Sequence, residues 1–259
     1  MIDLDEAPFH VEKLNLSFGG LKVLSDIVFS VEPGDVLGLI GPNGAGKSAL
    51  LNCISGIYKA QSGQITLADK RLESLAPHKI CAAGVGRTFQ HANLISSMNV
   101  LENVLIGLSS ELHNGVLHRM LKPLSSFRAE ASARSKAMNA LERCHVAEYA
   151  YADVRSLSLG NRKKVDLARA LVGEPKLLLL DEPAAGLSRE ERPLILELVK
   201  SALAVKPIGV IWIEHDLELV ISAATRVIVL QHGRVMATGN PHEGATERQR
   251  LINVYLHGN

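Results

Sequence analysis

The sequence predicts an α/β fold with a mainly parallel central sheet, an antiparallel β region at its N-terminal end and an inserted helical subdomain. Three observations carry this. A short apolar run, Val36–Ile40, leads into a glycine-rich loop and then a helical segment. From residue 160 onward, apolar runs of strand length alternate with amphipathic helical segments. Between them, roughly 91–158, the spacing is helical and the composition shifts to Leu, Ala, Ser and Arg.

In chain order, Phe9, Val11, Leu14, Leu16 and Phe18 alternate as in a strand, and Ile27, Phe29 and Val31 repeat the pattern after a turn at Gly19-Gly20. Pro33-Gly34 breaks that run. Val36–Ile40 suits a buried strand, a helix is expected from about Lys47 to Ser55, ending at Gly56, and Gln64–Ala68 reads as a strand after the Ser62-Gly63 turn. Within the helical stretch, Val100, Val104 and Leu108, then Ala137, Leu141 and His145, keep helical spacing, while 109–128 reads as an excursion in which Pro123 breaks any long helix. Further on, Val165, Ala168, Leu171 and Val172 share a helical face closed by Gly173 and Pro175. Leu177–Leu180 is a buried strand. Ser188 with Glu191 suggests a capping box for a helix burying Leu194, Ile195, Leu198, Val199 and Ala202, ended by Pro207. Gly209–Ile213 is another buried strand, and Arg226–Leu230 with Val235–Thr238 forms a hairpin across His232-Gly233. The expected organisation is one domain over 9–257: a core of 9–90 and 159–240, a helical subdomain of 91–158 and a tail of 241–259.

Composition narrows the class. The 259 residues are 47% hydrophobic and 21% charged, with a formal net charge of +1, so no strong field points to nucleic acid. Cys53, Cys81 and Cys144 are far apart and lack the spacing of a disulfide framework or a zinc site, which fits a reducing cytosol. Mean hydropathy is +0.13, yet the densest apolar runs fall far short of the roughly 20 residues a spanning helix needs. The acidic MIDLDEAPFH start lacks the apolar core of a signal peptide.

The chemistry begins at Gly41-Pro42-Asn43-Gly44-Ala45-Gly46-Lys47-Ser48, with Ala49 next, which fits G-x-x-x-x-G-K-[ST] between a strand and a helix. Gly44 and Gly46 allow backbone N–H groups to curl around phosphate oxygens, and the following helix adds its positive end. Lys47 offers a point charge to β- and γ-phosphates, and Ser48 a hydroxyl to Mg²⁺. Downstream, Leu177–Leu180 runs into Asp181-Glu182-Pro183. A buried strand ending in two carboxylates sets Asp181 as a Mg²⁺ partner and Glu182 where it can polarise a water attacking the γ-phosphate. The residues thus point to a phosphate-loop core that binds a nucleotide with Mg²⁺, features shared by many enzymes, kinases and GTPases among them.

Leu157-Ser158-Leu159-Gly160-Asn161, followed by the basic helix RKKVDLARAL and the Asp-Glu strand, resembles the signature motif of ABC ATPases. Gln90 in GRTFQ resembles that family's Q-loop, His215 in IEHD its switch histidine, and Phe18-Gly19 its aromatic adenine platform. The resemblance covers nearly the whole chain. It implies that Ser158 and Gly160 contact ATP held by a second ABC ATPase subunit, or a second copy, in a nucleotide-sandwich dimer. It further implies that Glu182 is the general base, that His215 holds the γ-phosphate and water, and that Gln90 touches Mg²⁺ and water. Asn161 stands where the signature usually has Gln, and Ser188 where Asp is usual.

The stretches VGRTFQHANLISSMNVLENVLIG, LLLLDEPAAGLS and WIEHDLELV are similar to the ATPase subunits of branched-chain amino acid importers. That resemblance implies two membrane permease subunits, an extracytoplasmic substrate-binding protein, no nucleic acid partner, and a peripheral position on the cytoplasmic face of the inner or plasma membrane. Importers of urea, amides or aromatic acids share the architecture. A soluble ABC protein of translation or DNA repair is disfavoured by the single cassette without sustained heptads, and a small-molecule kinase or GTPase by the signature helix; an exporter ATPase is excluded less firmly.

Overall fold

The computed structural model describes residues 8–90, 92–108 and 123–257. The first residues of the acidic N-terminal segment, His91, most of the 109–128 excursion and the last two residues of the tail lie outside the described residues.

Two sheets organise the chain. Strands β1 (Phe9–Phe18), β2 (Leu21–Val31), β4 (Ser62–Leu67) and β5 (Lys70–Arg71) form an antiparallel sheet in the order β2-β1-β4-β5. The second sheet runs β10-β9-β3-β8-β7-β6, built from β3 (Val36–Ile40), β6 (Val85–Arg87), β7 (Leu177–Asp181), β8 (Gly209–Ile213), β9 (Arg226–Gln231) and β10 (Arg234–Gly239). Its pairings are parallel except for the β9–β10 hairpin. The middle strands are buried along their whole length, and apolar except for Asp181 at the end of β7, because both faces are covered. Leu177 and Leu179 face the antiparallel sheet and α1 (Lys47–Ile54), alongside Leu37, Leu39, Leu50 and Leu51. Leu178, Leu180, Val210 and Trp212 face the other way, into the cluster formed with the helical region.

That region holds α3 (Val100–Leu105), α4 (Pro123–Arg143) and α5 (Leu159–Leu171), which pack on one another; α2 (Pro77–Ala82) lies before it in the chain. Asn99 and Glu102 close a capping box at the start of α3, and Ser158 caps α5 by accepting from the Asn161 N–H. Helices α6 (Arg192–Val205), α7 (Leu217–Ala223) and α8 (Ala245–His257) complete the layers.

Several sequence expectations need correction. Pro123 is the first residue of α4, where it needs no N–H partner, and the stretch before it, across which the sequence expects it to break a helix, lies outside the described residues. His145 does not extend the Ala137–Leu141 face; it lies past α4 with φ 54°, exposed. Ser188 is not a helix cap: Glu191 accepts from its N–H at 3.0 Å, but α6 starts at Arg192, with Pro193 in the first turn. Leu194 is 42% exposed and does not join the buried face of α6.

Strand β6 meets α5 through Gly86, where an added Cβ would stand 2.4 Å from the Ala170 carbonyl oxygen and 3.1 Å from Pro175. Backbone cannot yield as a flexible side chain does, so Gly86→Ala is expected to cost about 1–3 kcal/mol. A lowered urea midpoint at unchanged slope is the expected reading; an unchanged midpoint would contradict so close an approach.

Candidate functional site

The register of the central strands assembles the site. Leu39 of β3 pairs with Ile213 of β8, and Ile213 with Asp181 of β7, so three parallel strands end at one level. The segments that continue from those ends are the glycine-rich loop, Glu214-His215 and Glu182. Grouping at the carboxyl edge of a parallel sheet is the usual setting for a ligand site in this architecture.

The loop leaves β3 at Gly41, where a Cβ would stand 2.1 Å from the Leu230 carbonyl oxygen, so only glycine fits. Gly46 takes φ 104° as the N-cap of α1 and makes no side-chain cap, leaving the helix's first N–H groups free for an anion. Pro42, Asn43, Gly44 and Ser48 are exposed, while Ala45 is buried. Lys47 is buried, its ammonium donating to the carbonyls of Gly41 at 2.6 Å and Pro42 at 3.0 Å. Burial lowers its pKa, opposed by the nearby charges of Glu182 and Asp181.

Glu182 follows the last residue of β7 in the left-handed region, φ 49°, a conformation that costs a non-glycine residue about 1–3 kcal/mol. Its N–H donates to Ile213 O at 3.0 Å, and both carboxylate oxygens are engaged. The His215 imidazole Nε2 donates to Oε1 at 2.8 Å, and the Gln90 amide to Oε2 at 2.8 Å. The structure therefore brings Gln90, Glu182 and His215 into one cluster.

Asp181 makes an ion pair with Arg87 at 2.9 Å, both side chains nearly withdrawn from water. The same guanidinium donates to Asn52 Oδ1 at 2.8 Å and Ser55 Oγ at 2.5 Å near the end of α1, and lies 5.2 Å over the Phe89 ring. Glu214 is also buried; it accepts from the N–H groups of Ala184 at 2.7 Å and His215 at 3.3 Å. Burial raises its pKa, and those two hydrogen bonds act in the opposite direction. Lys163 of α5 is 4% exposed and donates to the carbonyls of Gln90 and Glu182. Burial lowers its pKa, opposed first by the charge of Asp166, which pairs with Arg169 and accepts the Phe89 N–H at 3.0 Å.

Arg87, Lys163 and Glu214 are not singled out by sequence reasoning. Their signal lies in the motifs themselves: a charge inside GRTFQ, one beside the His of IEHD, and a cation on the inward face of the signature helix. Phe18, at the end of β1, is 50% exposed and meets Tyr58 edge-on at 5.1 Å, so it is not a core aromatic. Ser158 and Gly160 belong to a different neighbourhood. The Ser158 hydroxyl accepts from Asn161 N–H, and Gly160 sits against Glu191 and Leu187. The three cysteines are free, and burial pushes the thiols of Cys53 up to about 11 and Cys144 up to about 12.

Beside Arg87, a cleft of about 460 Å³ opens between β6 and the helical region, lined by Ile80, Cys81, Phe89, Asn93, Gly107 and Arg169.

Comparison with known proteins adds independent observations. A family profile described as ABC transporter matches residues 24–185. The chain is 37% identical over 246 residues to LivG of Escherichia coli (strain K12), a high-affinity branched-chain amino acid transport ATP-binding protein, covering 95% of this chain and 96% of that protein. It is 34% identical to the corresponding protein BraF of Pseudomonas aeruginosa, with the same coverage. Among solved structures, a nucleotide-free ATP-binding cassette of an ABC transporter matches at TM-score 0.80 and 30% identity, covering 97% of this chain and 98% of that one. A cassette in its ADP conformation matches at TM-score 0.79 and 32% identity, covering 97% and 95%.

Removing one partner of the buried Arg87–Asp181 pair leaves a carboxylate without its counter-charge. Arg87→Met is expected to destabilise the fold by about 3–5 kcal/mol. In a double-mutant cycle with Asp181→Asn by urea denaturation, the second change should cost far less once the first is made; additive effects would show that the pair is not coupled.

Proposed function

The chain belongs to the ABC transporter ATP-binding family, and from that premise we propose that it hydrolyses ATP with Mg²⁺ to drive import of branched-chain amino acids. The observation that carries the proposal is the cluster of Gln90, Glu182 and His215 beside an open phosphate loop.

In the proposed bound state, Lys47 exchanges its own loop carbonyls for β- and γ-phosphate oxygens, and the N–H groups of Gly44, Gly46, Lys47, Ser48 and Ala49 complete the cradle, that of Ala45 being held by the Pro42 carbonyl. Ser48 and Asp181 would hold Mg²⁺, with Gln90 at its edge. No group of three or more acidic, His or Cys side chains suited to a metal exists among the described residues, which fits an ion held mainly by phosphates. Mg²⁺ would supply neutralisation of the charge on the β- and γ-phosphate oxygens. Phe18, exposed beside Tyr58, would stack on the adenine.

Hydrolysis then needs a water at Glu182. Each carboxylate oxygen accepts one hydrogen bond, from His215 or from Gln90, and keeps a second lone pair for the water, with His215 and Gln90 placed beside it. As the water oxygen bonds to the γ-phosphorus, its proton passes to Glu182 and the bond to the bridging oxygen of ADP breaks. The signature group, Ser158 and Gly160 at the start of α5, would complete the site of a second cassette, either a related subunit or another copy.

No helix among the described residues is long and apolar enough to cross a membrane. From membership of the ABC transporter family we assign the chain a peripheral place on the cytoplasmic face, held by two permease subunits, with an extracytoplasmic binding protein delivering the substrate. The cleft beside Arg87 and Phe89, next in the chain to Gln90, is the proposed seat of a permease segment. The substrate assignment draws its support from the likeness to LivG and BraF.

One genetic experiment tests activity and substrate together. Deletion of the gene should lower uptake of labelled leucine, isoleucine and valine, and wild-type chain should restore it while Glu182→Gln should not. Purified Glu182→Gln should bind nucleotide normally with turnover lowered about 10²-fold. Unchanged uptake of all three amino acids alongside loss of urea, amide or aromatic acid uptake would overturn the substrate, and normal turnover would remove Glu182 from its role.

A further inference from the structure

Lys163 lies in the second turn of α5 with its side chain withdrawn from water. Its ammonium donates to the backbone carbonyl of Gln90 at 2.5 Å and to that of Glu182 at 3.1 Å. The side chains of the same two residues meet at 2.8 Å. One cation thus joins three segments remote in sequence: the loop after β6, the turn after β7 and the helix headed by Ser158.

Burying an ammonium costs several kcal/mol before its hydrogen bonds and counter-charges offset it, and an apolar side chain in the same place would carry no such cost. The carboxylates around it are Asp166 on its own helix, Glu214 after β8, and Glu182 with Asp181 at the end of β7. Packing alone does not call for a cation here. Geometry does, because Glu182 is held in a left-handed backbone conformation and Lys163 takes its carbonyl oxygen. Because Lys163 belongs to α5, any displacement of that helix acts on the Gln90 and Glu182 backbones together.

We propose that Lys163 is a positioning residue that holds Gln90 and Glu182 in register with α5, so that ligand engagement at Ser158 is transmitted to the carboxylate acting on the chain's own ATP. This rests on the reading of the chain as an ATP-hydrolysing cassette. It makes each of the two sites in a dimer sensitive to occupancy of the other, through one buried side chain.

The test compares Lys163→Met with Lys163→Arg, which keeps a cation long enough to reach both carbonyls. The measurements are steady-state kcat and KM, equilibrium binding of a fluorescent ATP analogue, and the urea midpoint. Lys163→Met is expected to lower kcat about 10-fold or more, as misplaced catalytic groups do, with analogue affinity within about twofold of wild type. Lys163→Arg should recover most of the lost kcat. If Lys163→Met does not fold, Lys163→Gln, which keeps a donor for one carbonyl, carries the same expectations. A kcat within about twofold of wild type in the neutral variant overturns the proposal, as does an equal loss in Lys163→Arg, or a loss that tracks analogue affinity. Failure of the cassette reading looks different: wild-type chain would neither bind the analogue nor turn ATP over.

Discussion

The constraint on which the rest depends is the register that sets Leu39, Ile213 and Asp181 side by side at the carboxyl ends of three parallel strands. A shift of one residue in β7 would send Leu178 and Leu180 to the face now held by Leu177 and Leu179, against two different cores. Apolar packing on both faces therefore fixes where the chain stops being strand. The residues at or just past each strand end are polar and chemically able: the loop ending in Lys47, Asp181 as the last residue of β7 with Glu182 after it, and Glu214-His215.

Placing carboxylates at the end of a wholly buried strand has an electrostatic consequence. Each must be answered by a donor or a cation, and each is. Asp181 has Arg87, Glu182 has Gln90 and His215, and Glu214 has two backbone N–H groups. These partners come from β6, the loop after it, the turn after β7 and the segment after β8, so satisfying the charges also ties the layers together. Lys47, Gln90 and His215 each donate to groups of the protein itself.

Much of this is legible in the sequence. The strands Val36–Ile40, Leu177–Leu180 and Gly209–Ile213 announce themselves as uninterrupted apolar runs, which is what burial on both faces requires. The glycine-rich loop is legible because a close approach to Leu230 and a left-handed N-cap leave glycine little competition. Helix starts are harder to read. Ser188 and Glu191 match a capping pattern locally, yet Pro193 sets the start of α6 and the Glu191 carboxylate turns back to the Ser188 N–H. The long-range polar partners are not legible either. Nothing in RKKVDLARAL says which Lys turns inward until α5 is packed against the loops carrying Gln90 and Glu182, and Arg87 meets Asp181 only once β6 pairs with β7.

Every functional role proposed for the chain requires that the loop from Gly41 to Ser48 receive the phosphates of ATP, with Lys47 as its charge. Calorimetric titration of the purified chain with ATP and Mg²⁺ tests that most directly. Wild-type chain should show saturable binding at one site per chain, and Lys47→Ala should weaken it roughly 10- to 100-fold, the loss expected from charge-assisted hydrogen bonds of about 1.5–3 kcal/mol. No saturable heat with wild type, or equal affinity in Lys47→Ala, would contradict that role for the loop.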